Sequence, residues 1–135
     1  MMYCKEFSTG REVLPQILNE ITEIITMYFK DPVIINRLKI AVEEILVNIF
    51  DYSGSDKVYV SCGYLEYENA LRMEFVDEGE LYNPLEKDTE VDINDEIDDR
   101  QIGGLGIFLY TTIMDEMAYN SDDGKNHLIA VKKLQ

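Results

Sequence analysis

Apolar and polar residues follow two repeats along the chain, one typical of helices and one typical of strands. From Arg11 to Lys30 the apolar positions recur every three or four residues, which predicts a helix that Ser8 or Thr9 could cap. Asp31-Pro32 ends this pattern. It also suits the start of a second helix, because aspartate is a favoured cap and proline fits the first helical position. The second helix is predicted over residues 32–52.

Strand patterns occupy three other parts of the chain. Residues 2–7 form a short segment of mixed polar and apolar residues, as in an edge strand. Lys57–Tyr67 and Ala70–Val76 are separated by a turn and predict a hairpin, the second strand alternating apolar and polar residues. Residues 119–134 predict a closing hairpin around Asp123-Gly124.

A long acidic segment separates the two hairpins. A lid is predicted at about residues 80–102, since long loops in small domains are often functional; a disordered segment is the alternative. Residues 104–117 then predict a third helix. This order of elements predicts an α+β fold, a two-layer sandwich with helices covering one face of a mixed, mostly antiparallel sheet.

Composition narrows the class of protein. The 135 residues are 46% hydrophobic, which fits one domain spanning residues 1–135. A net charge of -15 argues against a nucleic-acid-binding surface, and a bound polyphosphate would need a cation to offset the repulsion. Cys4 and Cys62 are too few for a disulfide scaffold or a zinc site. Without a signal peptide or a membrane-length apolar run, we expect a cytoplasmic protein without a membrane partner.

The second predicted helix carries an unusual polar face. Glu44, Asn48 and Asp51 fall at positions i, i+4 and i+7 of a helix that is apolar around much of its circumference. This face either meets water or serves a ligand, because buried polar groups are costly without partners. Asparagine and carboxylate oxygens suit Mg²⁺, and a carboxylate beside a transferring phosphate can act as a general base.

Two further motifs lie at the ends of predicted elements. Asp77 could accept a hydrogen bond from an amino group such as that of adenine, and Gly79 would let the base lie against the backbone. The segment Gly103-Gly104-Leu105-Gly106 opens onto the third helix, where free N–H groups and the helix dipole suit a phosphate. Each motif alone more often makes only a turn.

In this order the motifs resemble the N, G1 and G2 boxes of the histidine-kinase-like ATPase (GHKL) fold, shared by gyrase, Hsp90 and sensor kinases. The small size, the run from Gly103 to Leu109 followed by residues 113–116, and the ending at residues 124–128 are similar to the anti-sigma factor serine/threonine kinase branch. The resemblance covers nearly the whole chain.

The resemblance implies a role for each matching residue. Asn48 should ligate Mg²⁺ bridging the ATP phosphates, and Glu44 should take the proton of a substrate serine hydroxyl. Asp77 should bind the adenine amino group, with Gly79 beside the ring. The residues that should contact the phosphates are Gly103, Gly104, Leu105 and Gly106. Arg100 could reach the γ-phosphate, or it is a solvated lid charge.

The implied function is phosphorylation of a serine or threonine on an anti-anti-sigma (STAS-type) protein, with sequestration of a sigma factor, by a homodimer. The sequence departs from the family pattern at two points, and these departures leave other functions open. Tyr52 stands where many family members carry histidine, and only Lys87 or Arg100 of the acidic lid could serve the phosphates. A non-catalytic ATP-binding switch is therefore the second hypothesis, and a fold that has lost its nucleotide is the third.

Overall fold

The computed structural model describes residues 2–86 and 105–135, in which three helices and five strands follow one another in the predicted order. The strands are β1 (Met2–Ser8), β2 (Lys57–Leu65), β3 (Ala70–Asp77), β4 (Glu116–Asn120) and β5 (Asn126–Lys133). The helices are α1 (Leu14–Tyr28), α2 (Pro32–Tyr52) and α3 (Leu105–Ile113).

The strands form one sheet in the order β1-β2-β3-β5-β4. Every pairing among the described strands is antiparallel, so the sheet is simpler than the mixed arrangement predicted. β1 lies at an edge, as its short mixed sequence predicted. The register of the central pair β3–β5 sets Asp77 directly opposite Asn126.

The helices cover one face of this sheet, which confirms the predicted two-layer sandwich. Along β3 the buried residues Leu71, Met73 and Phe75 alternate with half-buried ones, because successive strand side chains point to opposite faces. These three residues join a single apolar cluster with buried residues of all three helices. The same alternation places Asp77, two residues after Phe75, on the helix-covered face.

Side-chain capping explains where α2 begins but not where α1 begins. The Asp31 carboxylate accepts a hydrogen bond from the Val33 N–H at 2.9 Å, so α2 begins where the sequence predicted. α1 begins later than predicted and has no side-chain cap. The predicted caps were wrong: Ser8 lies in β1, and the Thr9 hydroxyl donates instead to the Ser55 carbonyl at 2.7 Å.

α3 is shorter than its apolar sequence predicted. It ends at Ile113, and Glu116 and Met117 belong to β4 rather than to the helix. The Asp115 N–H donates to the Val131 carbonyl at 2.9 Å, which starts the pairing of β4 with β5. Hydrogen bonding to a neighbouring strand therefore overrides the local helical preference.

Most of the predicted lid lies outside the described residues. Residues 80–86 follow β3 as irregular chain. Within the described ranges, none of the helices combines the length and the apolar character needed to cross a lipid bilayer.

Candidate functional site

A pocket opens between α2, α3 and the ends of β3, β4 and β5. Four tyrosines contribute to its wall: Tyr52, Tyr82, Tyr110 and Tyr119. Its polar lining residues are Asn48, Ser53, Asp77, Glu80 and Asn126. No lysine or arginine of the described chain is among the lining residues. The pocket is therefore aromatic, with a few polar groups, as small-molecule sites commonly are.

Asp77 is the buried acid of this pocket, with only 4% of its surface exposed. Its Oδ1 accepts hydrogen bonds from the Gly79 N–H at 3.0 Å and from Asn126 Nδ2 at 2.9 Å. Within residues 2–86 and 105–135, no hydrogen bond or ion pair reaches Oδ2. Because a buried carboxylate oxygen is costly when unpaired, this atom offers a strong acceptor to a ligand N–H group.

Asn126 holds this end of the pocket together, although it is not among the site residues that the sequence predicts. Its amide nitrogen donates to Asp77 and also to the Glu80 carbonyl at 2.9 Å. Its oxygen accepts from the Tyr82 N–H at 3.0 Å and from the Tyr119 hydroxyl. One buried side chain thus joins β3, the chain after β3 and β4. The family-like segment at residues 124–128 includes Asn126, but only strand register sets it opposite Asp77.

Gly79 is needed here for space. A methyl group at Gly79 would lie 1.9 Å from the Ser53 carbonyl oxygen, far inside van der Waals contact. The next N–H, that of Glu80, donates to the same Ser53 oxygen at 2.9 Å. The chain leaving β3 therefore packs directly on the end of α2. The predicted place of Gly79 beside an adenine ring stays a prediction.

Asn48 lines the pocket from α2, one turn after Glu44. Its Nδ2 donates to the Tyr110 hydroxyl at 3.4 Å, and no described residue donates to its Oδ1. Tyr110 is fully buried on α3. Burial raises the pKa of its phenol, so the hydroxyl is neutral near pH 7 and can accept this bond. A helical spacing could have found Tyr110, because it follows Gly106 by four residues on the same face.

Glu44 meets the first turn of α3. A methyl group at Gly106 would lie 2.8 Å from Glu44 Oε2, so the absence of a side chain lets the half-buried carboxylate approach the helix closely. Leu105 precedes Gly106 and is 47% exposed. Glu44 and Asn48, the two residues of α2 that were predicted to act on the ligand, therefore both face α3.

Other predicted residues fall elsewhere. Asp51 points away from the pocket and pairs with Arg11 at 2.9 Å on the surface. Tyr52 lines the pocket mouth and is 47% exposed. Several predicted residues lie outside the described ranges: Lys87, Arg100, Gly103 and Gly104.

The site can be tested for a magnesium ion by its donor atoms. The described residues hold no group of three or more histidine, cysteine or acidic side chains that could bind a metal by themselves. They do hold the free Asn48 Oδ1, a hard oxygen of the kind that Mg²⁺ accepts. Mg²⁺ commonly takes one or two protein oxygens and completes its shell with phosphates and water. The residues fit an ion that arrives with a nucleotide.

Comparison with known proteins finds the same family that the sequence motifs resemble. The profile of the histidine kinase-like ATPase domain matches residues 7–132. The chain is similar to proteins named serine-protein kinase RsbW. In Listeria monocytogenes (serotype 4a, strain HCC23) the identity is 32% over 95 residues, covering 67% of this chain and 60% of the relative. In Halalkalibacterium halodurans it is 29% over 93 residues, covering 67% and 57%. The chain thus spans about 60% of the length of the curated relatives it matches.

A solved structure supports the fold. The Acinetobacter baumannii histidine kinase AdeS matches with a TM-score of 0.52 and 11% sequence identity, covering 97% of this chain and 68% of that chain. The predicted family resemblance is therefore confirmed by sequence and by fold.

Proposed function

The chain belongs to the histidine kinase-like ATPase family, and we propose that it binds Mg-ATP in the tyrosine-lined pocket and phosphorylates a protein hydroxyl. The relatives named serine-protein kinase support a serine or threonine as the acceptor. Asp77 is the observation that carries the proposal. Its buried carboxylate keeps one oxygen free among the described residues, in a pocket with aromatic walls.

In this proposal the base end of ATP lies at Asp77. The free Oδ2 accepts the exocyclic amino group of adenine, and the apolar and aromatic lining covers the ring. Asn126 keeps the carboxylate in place by occupying its other oxygen. The acceptor selects a base with an amino group, because a keto oxygen at that position would face a carboxylate.

The phosphate end lies between α2 and the first turn of α3. The chain through Gly103, Gly104, Leu105 and Gly106 supplies backbone N–H groups, with Arg100 as a cationic contact. Asn48 Oδ1 holds Mg²⁺, which when bound neutralises phosphate charge. Glu44 is close enough to Gly106 to meet a phosphate placed at the helix N-terminus.

Glu44 is the proposed general base. It takes the proton of the acceptor hydroxyl while the oxygen of that hydroxyl forms a bond to the γ-phosphorus. The bond from the γ-phosphorus to the bridging oxygen breaks, and ADP leaves with the electron pair. Positioning and electrostatic stabilisation supply most of the rate.

The proposed partners follow from the family branch and from charge. The substrate is an anti-anti-sigma (STAS-type) protein, and a sigma factor is bound and sequestered. The net charge of -15 favours partners with basic surfaces and disfavours nucleic acid. A homodimer is the proposed assembly.

A second function, an ATP-binding switch without phosphate transfer, is favoured by one observation. No basic side chain of the described residues lines the pocket, whereas a phosphoryl-transfer site normally supplies cations to the transferring group. Such a switch would capture its regulator in one nucleotide state and release it in another.

The deciding experiment combines nucleotide binding with a transfer assay. The purified protein is heated with and without Mg-ATP, then incubated with Mg-ATP and the STAS-type protein encoded beside it, whose mass is measured. A thermal shift with a gain of one phosphate supports the kinase. A thermal shift without phosphate supports the switch. No shift supports a fold that has lost its nucleotide, because a ligand that binds only the native state must stabilise it.

A further inference from the structure

Tyr110 is a polar group in the pocket that the family motifs do not include. It lies on α3, its side chain is fully buried, and its ring forms part of the pocket wall. Its hydroxyl meets α2 at Asn48, and the nearby Glu44 carboxylate adds to the effect of burial in raising the pKa of the phenol. The hydroxyl is therefore a neutral group in contact with Asn48 and near Glu44.

In the structure the Tyr110 hydroxyl contacts the nitrogen end of the Asn48 amide. Nδ2 donates to the Tyr110 oxygen at 3.4 Å, and Oδ1 has no donor among the described residues. The two ends of an asparagine amide have nearly the same shape but opposite hydrogen-bonding roles, so without a partner either end can face the ligand. A metal ion accepts only the oxygen end.

We propose that Tyr110 is a positioning residue whose hydroxyl engages the Asn48 amide nitrogen and so presents Asn48 Oδ1 to the magnesium ion of a bound nucleotide. This inference rests on the proposed function and adds a residue to it. The bond is long for an N–H···O contact, so its effect is modest.

The test separates metal-dependent from metal-independent nucleotide binding. The affinity for the non-transferable analogue AMP-PNP is measured calorimetrically with Mg²⁺ and with EDTA, for the wild type and Tyr110→Phe. The variant should bind about 3- to 10-fold more weakly with Mg²⁺, the equivalent of one ordinary hydrogen bond, and within twofold of the wild type in EDTA. Circular dichroism and the unliganded melting temperature establish that the variant is folded. Should it not fold, Tyr110→Met, with an adaptable apolar side chain, takes its place with the same expectation.

Two matched variants make the readout specific. Asn48→Asp has oxygen at both ends of the side chain, so adding Tyr110→Phe to it should change the Mg²⁺ measurement less than twofold. Tyr119→Phe removes a hydroxyl at the other end of the pocket, where it contacts Asn126. It should weaken binding equally with Mg²⁺ and with EDTA.

Three results would overturn the inference. One is an unchanged Mg²⁺ dependence in Tyr110→Phe, and another is an equal loss in Mg²⁺ and EDTA. The third is a Mg²⁺-specific loss that persists in the Asn48→Asp background. If the wild type binds no AMP-PNP in either condition, the proposed function itself is wrong, whereas the first three results leave ATP binding intact.

Discussion

The two ends of the pocket are built in different ways. At the sheet end, Asp77 and Asn126 are fixed by strand register, and Asn126 alone makes four hydrogen bonds. At the helix end, Glu44 and Asn48 face α3 across a helix–helix contact. There the described residues make a single side-chain hydrogen bond, at 3.4 Å.

Under the proposed function, this difference separates binding of the base, at the sheet end, from phosphate transfer, at the helix end. A dense network in a buried sheet is rigid, because moving one member leaves several polar groups unpaired. A contact between two helices with few hydrogen bonds can adjust by small shifts. We therefore expect base binding to be preorganised, and the arrangement at the phosphates to depend on the ligand.

Replacing Glu44 should produce the largest effect. If it is the general base, Glu44→Gln should lower the rate of phosphate transfer about 10²- to 10⁴-fold, the usual contribution of such a group, with ATP affinity little changed. The rate is followed by the mass of the phosphorylated partner under single-turnover conditions.

Asp51→Asn is the control for Glu44→Gln, since Asp51 lies two turns further along α2 and pairs with Arg11 at the surface. It should transfer at the wild-type rate. If Glu44→Gln transferred phosphate as fast as Asp51→Asn, the assignment of Glu44 as the general base would be wrong.

Replacing Asp77 should act on binding alone. Asp77→Asn keeps the shape but removes the charged acceptor, so ATP affinity should fall about 10- to 100-fold, as for a hydrogen bond to a charged group. Isothermal titration with Mg-ATP measures the change. Glu78→Gln is the matched control, because Glu78 is the next residue and pairs at the surface with Lys125. Equal affinities for the two variants would contradict recognition at the sheet end.

Gly79→Ala tests the packing that joins the two ends. The added methyl group would overlap the Ser53 carbonyl, so the free energy of unfolding should fall by about 1–3 kcal/mol. Urea denaturation measures this. Gly63→Ala is the control, since its methyl group would meet only Met2 Cε at 3.9 Å, and its stability should stay within about 0.5 kcal/mol. A tolerated Gly79→Ala would show that the chain after β3 moves easily away from α2.

The smallest effect concerns the outer face of the sheet, which the helices do not cover, beside the sheet end of the pocket. The His127 ring lies between Glu74 at 2.6 Å and Asp123 at 2.9 Å. The hydrogen bond with Glu74, and then that with Asp123, raise the pKa of His127 above its ordinary value of 6.5, although burial opposes them. Conversely, the pKa of Glu74 is lowered from 4.5: burial raises it, but hydrogen bonds from His127 and Arg72 outweigh that effect.

The sign of the pH dependence follows from these directions. The protonated His127 contributes stability fully below pH 6.5, and this is lost as the pH rises through the raised pKa of the folded state. The Glu74 contribution is present above pH 4.5 and lost on acidification. The free energy of unfolding should therefore be greatest between pH 4.5 and pH 6.5 and should fall above this range by up to about 1 kcal/mol for the His127–Glu74 pair. The melting temperature, measured across this pH range, should follow the same course. In His127→Gln the alkaline decrease should disappear while ATP affinity is unchanged. A change in affinity would show that the outer face influences the pocket.

Much of the helix end was predictable from the sequence. The Asp31-Pro32 pair starts α2 where predicted, and the three- and four-residue spacing puts Glu44 and Asn48 on one face of a buried helix. These signals are local, since capping and periodicity act within a few residues. Tyr110 follows Gly106 at a helical spacing, but its contact with Asn48 forms only when α3 packs on α2.

Local sequence patterns predict the element types, the buried face of α2 and the motifs that mark the family. The end of α3, the need for glycine at position 79 and the hydrogen bonds that hold Asp77 depend instead on how the chain packs in three dimensions. Each of these depends on a distant partner: Val131 for the end of α3, Ser53 for Gly79 and Asn126 for Asp77. Hydrogen-bond register between strands and contact between helices join residues far apart in the chain, and no local pattern records them.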